Sequence, residues 1–291
     1  MEEMFRSAFV RGLIENVVLL PAAVVVFCGW GLLRFTRAAP DRRGALWAAG
    51  LAGGFFASYA VTYHDFSVPP RTVLSWLPWL VVGAAVAVAL VARRANMVWI
   101  AGVRLTAVAV SAYVLLRPLL HQEPWSTAFI SWFGTAVVWF ALWSALALPH
   151  VDQKAGGVAL CVVAAALALA APLSGSIEIG RFGGALATAL GVSLVFPVFV
   201  RDRRWDSPTG DVPVMILGAL MVDLRFYAGA PWVVMAWLTA ALVTASLAIG
   251  WIRSRRNTAQ WGIIVAGVAA LLPAALACWT AWRVYQQSGG Y

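Results

Sequence analysis

Four short polar stretches hold the side chains that could do chemistry: YHDFSVPPR (63–71), RPLLHQEPW (117–125), LSGSIEIGR (173–181) and DLRFYAGAPW (223–232). Each brings together at least one acid and one arginine: Asp65 with Arg71, Glu123 with Arg117, Glu178 with Arg181, Asp223 with Arg225. His64, Asp65, His121 and Glu123 are ligand types that a divalent metal takes. Two imidazoles that titrate near neutral pH could also pass protons. Neither His–acid cluster has a recognised metal spacing, and HEXXH, GXSXG and the P-loop are absent from the sequence, so no catalytic residue is assigned and metal and cofactor stay open. The plainer role is structural. An acid and an arginine at a helix end satisfy each other, and an exposed pair contributes about 0–1 kcal/mol.

The elements that must position these residues follow from composition. Of 291 residues, 62% are hydrophobic and 11% charged. A soluble domain is about 45–50% apolar and about 25% charged, and one core of this size could not hide the excess. Ten runs are near the roughly 20 apolar residues that a bilayer-spanning helix needs: 14–34, 44–63, 72–92, 97–116, 126–148, 155–172, 177–200, 212–227, 231–251 and 260–282. Runs such as VVGAAVAVALVA do not alternate, which excludes barrel strands. The expectation is an all-α, polytopic integral membrane protein of about ten transmembrane helices, a single domain over 1–291 with no soluble domain. The first apolar segment reads as a retained helix, because no small-residue cleavage site follows it.

Charge threads the chain. Thirteen of the basic residues fall in odd-numbered gaps between segments and seven in even-numbered ones, with Arg104 inside a segment. The positive-inside rule then puts the odd gaps in the cytoplasm and both termini outside. The net charge of +9 is thus an orientation signal, and no nucleic-acid motif accompanies it. All four polar stretches fall on the outer face, where they predict a polar vestibule. The eighth segment is the weak one, with about eleven apolar residues from Val212 to Asp223. Cys28, Cys161 and Cys278 lie inside apolar runs, so neither a disulfide framework nor a zinc site is expected.

Some ionisable residues lie deeper. Arg104 is seven residues into the fourth segment, Glu15 begins the first, and Asp223 and Arg225 occupy the outer part of the eighth. Charges at membrane depth are paired or line a cavity. Arg104 either snorkels to the cytoplasmic side or meets an acid or water inside the bundle, with Ser111 on its own helical stripe. Gly180 and Gly184 form a GxxxG pattern in the seventh segment, and Gly50, Gly53 and Gly54 cluster in the second. Small residues let helices approach closely in lipid, so the seventh segment reads as a tightly packed central helix.

The stretch SGSIEIGRFGGALATALG (174–191), and more faintly FYAGAPW (226–232), resembles motifs of an uncharacterised family of multi-span membrane proteins from high-GC bacteria. The resemblance covers about a tenth of the chain. It implies a bacterial inner-membrane protein and no particular activity.

Three functions fit these residues. One is a small-molecule permease or transport component, which bundles of about ten helices often are. The second is a non-catalytic subunit of a larger inner-membrane complex, with membrane-protein partners or a homo-oligomer around it. The third is an enzyme acting at the outer face through His64, Asp65, His121 and Glu123. The transport reading is placed first; the only partner the sequence requires is the lipid bilayer.

Overall fold

A computed structural model describes residues 12, 14–35, 43–63, 67–92, 96–146, 153–199, 208–254 and 259–288. His64 and Asp65 lie outside the described residues, as do both chain ends on which the orientation turns. Every element described is helical. A π-helical turn, Ile14–Leu19, runs into α1 (Leu20–Phe35); α2 is Arg43–Thr62. A 3₁₀ turn, Leu74–Trp76, leads into α3 (Leu77–Ala92), followed by α4 (Met97–Leu120), α5 (Trp125–Leu146) and α6 (Gln153–Leu173). The chain continues through α7 (Ile177–Phe199), α8 (Pro208–Phe226), α9 (Trp232–Ser254) and α10 (Ala259–Gln287).

Local chemistry sets several ends. The Asn96 side chain accepts a hydrogen bond from the Val98 N–H at 2.9 Å and caps α4. The Ser176 hydroxyl accepts from the Ile179 N–H at 3.4 Å at the start of α7. Pro208 opens α8, where its missing N–H costs nothing. Gly175, at φ 98°, turns the chain between α6 and α7, and Gly229, at φ 70°, does so between α8 and α9. Side chains other than glycine adopt that region at a cost.

This is the architecture of a multi-span membrane protein, with a difference in count. Six helices among the described residues are long and apolar enough to cross a membrane: α4, α5, α6, α7, α9 and α10. Three more apolar stretches, Ile14–Cys28, Ala48–Thr62 and Leu74–Val88, are shorter. α8 is long, but Asp211, Asp223 and Arg225 dilute its apolar character. The expected number of about ten is therefore not reached on length and hydropathy.

α8 is enclosed by other helices over most of its surface and is open only along the groove between α5 and α9. It packs against α2, α3, α4, α5, α6, α7 and α9. From Asp211 to Leu224 every residue except Gly218 is buried. A helix surrounded by protein can carry polar groups that a lipid-facing one cannot. α6 and α7 flank this centre, whereas α5 is peripheral: 56% of the α6 span is buried against 22% of the α5 span. The glycines expected at close contacts lie there. A Cβ on Gly180 would meet Pro172 of α6 at 2.8 Å, and one on Gly184 would meet Val17 at 2.6 Å. In the second segment, Gly54 approaches the Pro21 carbonyl with 3.2 Å of room for a Cβ. The three cysteines are free thiols.

Candidate functional site

The polar interior of the bundle is carried by α8 at two levels. At its first turn, Asp211 accepts from Arg104 of α4, whose Nη2 lies 2.9 Å from Oδ1 and 3.3 Å from Oδ2. The Trp143 indole N–H of α5 donates to the same Oδ1. The Arg104 guanidinium also sits 5.6 Å from the Trp143 ring centroid. Both side chains are buried, at 11% and 4% exposure. Arg104 thus reaches an acid in the bundle interior instead of snorkelling.

Asp211 is the residue that the sequence reading missed. By apolar length alone the eighth segment runs 212–227, which leaves Asp211 just outside it. The helix starts four residues earlier, at Pro208, and carries Asp211 inward. The spacing held a signal: Asp211, Gly218 and Arg225 recur every seven residues and so share one helical stripe. That stripe faces α5. Trp139 of α5 donates its indole N–H to the Val214 carbonyl at 3.3 Å, and a Cβ on Gly218 would clash with the Trp139 ring. Trp132 donates to the Ala109 carbonyl of α4 at 3.0 Å. Three tryptophans of one helix therefore tie α4, α5 and α8 together from the inside.

The last turn of α8 is different. Asp223 is 1% exposed, and neither carboxyl oxygen has a hydrogen-bond partner among the described residues. Its expected pairing with Arg225 does not form. Residues two apart on a helix point to nearly opposite sides and cannot meet. Arg225 instead donates from Nη1 to the Ala230 carbonyl at 3.2 Å and lies 4.2 Å from the Trp232 ring centroid. The Tyr227 hydroxyl donates to the Leu115 carbonyl of α4, closing this end of the bundle.

Arg225 stands at one end of a cavity of about 400 Å³ between α5, α8 and α9. Its walls are largely apolar, from Ile130 and Val138 of α5 through Met221 of α8 to Met235 of α9, with Trp139 and Gly218 deeper in. Of the polar residues expected to line a vestibule, only Arg225 lines this groove. Glu178, Arg181, His121 and Glu123 do not line it.

The remaining candidates are dispersed. Glu178 and Arg181 pair on α7 at 3.3 Å, half-buried, one turn apart. His121 and Glu123 are exposed in the α4–α5 turn, and Arg117 forms no ion pair with Glu123 among the described residues. Glu15 is exposed at the π-helical turn before α1. No three His, Cys, Asp or Glu side chains among the described residues are placed to hold a metal ion.

Compared with known proteins, the chain matches no family model, no curated protein and no solved structure. The functional reading therefore rests on the residues of α8 and the helices around it.

Proposed function

We propose that the chain is a transport component of a bacterial inner membrane in which Asp223 takes up and releases the coupling proton or cation. The observation that carries this reading is Asp223 itself, a buried carboxyl with both oxygens unpartnered, on the helix at the centre of the bundle. Leaving a buried carboxylate uncompensated is costly, and an intramembrane acid of this kind marks an ion or proton path. Its contrast with Asp211, which is fully compensated 12 residues earlier, supports a functional role over a structural one.

The same reading has both termini outside and adds α8 to the helices that cross. Arg104 meets Asp211 near the starts of α4 and α8, and Leu115 meets Tyr227 near their ends, so these helices run parallel. Trp139 bonds to Val214 and Trp143 to Asp211, so α5 runs antiparallel to α8. Alternating crossings by every intervening helix produce that arrangement, and the burial of α8 explains how so polar a segment can cross.

The test is reconstitution into proteoliposomes with a trapped pH-sensitive dye, followed by addition of a pooled small-molecule extract. Wild type is expected to move protons when a substrate is present, and Asp223→Asn to be silent while still folded. An equal signal from both proteins would overturn the role of Asp223. A stoichiometric partner chain in native mass spectrometry after gentle extraction would instead favour a subunit of a larger complex.

A further inference from the structure

We infer that the groove between α5, α8 and α9 binds one anionic phospholipid, with its phosphate on Arg225 and an acyl chain along the apolar walls. This goes beyond the transport reading and does not depend on it. Three observations carry the inference.

The first is charge. Among the described residues Arg225 has no acidic partner, because Asp223 points away and the two ion pairs present lie elsewhere. Its guanidinium is held, not free to wander: one nitrogen donates to the Ala230 carbonyl, and the Trp232 ring packs against it at 4.2 Å. A fixed, planar guanidinium at the end of an apolar cavity matches a phosphate oxygen pair.

The second is size. The cavity of about 400 Å³ has room for a single acyl chain. Cavities of roughly 300–1,000 Å³ are the usual size for small amphiphilic ligands.

The third is position. The groove is flanked by side chains that face outward from the bundle, Ile130 at 69% exposure on α5 and Trp232 at 62% on α9. It is approached sideways, from the hydrocarbon phase. Arg225 and Trp232 mark its headgroup end, since Trp seeks the membrane interface. Ser131, Thr135 and Thr239 add hydroxyls along a wall that is otherwise apolar.

The experiment uses the full chain purified into nanodiscs of phosphatidylcholine containing phosphatidylglycerol, released and read by native mass spectrometry. One phosphatidylglycerol per chain is expected to stay bound, preferred over phosphatidylcholine by roughly tenfold, because both lipids offer Arg225 a phosphate but only phosphatidylcholine brings a second cation beside it. Arg225→Gln should bring the two lipids to parity. Gly134→Leu is the second variant: Gly134 lines the groove and a Cβ there meets nothing within 4 Å, so the added side chain has open groove to occupy. It should remove the bound lipid while leaving Arg225 intact. Equal retention of both lipids by wild type would overturn the inference. So would an undiminished phosphatidylglycerol preference in both variants. Asp223→Asn should bind phosphatidylglycerol as wild type does, which separates failure of this site from failure of the proton-carrier reading.

Discussion

The two ends of α8 hold the same side chain in opposite circumstances. Asp211 at the first turn receives an arginine and an indole N–H. Asp223 at the last turn, roughly 18 Å away at 1.5 Å per residue, is equally buried and receives nothing among the described residues. At the first end, Arg104 and Trp143 project from α4 and α5 onto the same stripe as Asp211. At the second, the nearest arginine in sequence is two positions on and faces the groove. On the proposed reading, the first acid is structural because its neighbours are aimed at it, and the second is available for exchange because none is.

The largest effect is expected where the pair is broken. Replacing Asp211 by Ala leaves Arg104 as an uncompensated buried cation. Loss of one partner of such a pair costs about 3–5 kcal/mol, read as a lower unfolding midpoint in mixed micelles. The double change Arg104→Met with Asp211→Leu should recover most of that loss, because a well-packed apolar pair of similar volume often equals a buried ion pair. If the double variant is as unstable as the single one, the interaction is more than local charge compensation.

A smaller effect is expected halfway along the same stripe. At Gly218 the Trp139 indole occupies the space of a side chain. Gly218→Ala forces α5 away from α8, and overpacking of this kind costs about 1–3 kcal/mol. The Trp139 fluorescence should shift as its bond to the Val214 carbonyl is strained. The smallest effect belongs to the turn after Asp223. Gly229 has φ 70° with open space around it, so Gly229→Ala should cost only about 1 kcal/mol in backbone strain, measured in the same unfolding experiment.

The sequence made much of the frame legible and little of the site. Long apolar runs with Gly, Pro and Arg between them announce helices, because the bilayer imposes length and composition on each lipid-facing span. The close contacts at Gly180 and Gly184 were legible for a similar reason: only a missing side chain permits them. α8 was harder. Hydropathy measures fitness for lipid, and this helix is largely enclosed by protein, so an apolar run that starts at Val212 understates its length and excludes Asp211. The pairing of Asp223 with Arg225 was inferred from nearness in sequence, which on a helix separates residues two apart. Arg104 could be recognised as needing a partner, but nothing local could name Asp211, 107 positions away. Side-chain partners across a bundle are fixed by helix rotation and tilt, which one sequence does not encode visibly.

The most direct measurement compares Asp211→Asn with Asp223→Asn in one equilibrium unfolding assay of the full chain. Asp211→Asn should lose several kcal/mol, because a buried arginine forfeits its counter-charge. Asp223→Asn should lose nothing or gain stability, because no native partner is lost and a buried acid is replaced by a neutral side chain. Equal destabilisation of the two variants would contradict the division of α8 into a structural acid and an exchanging one.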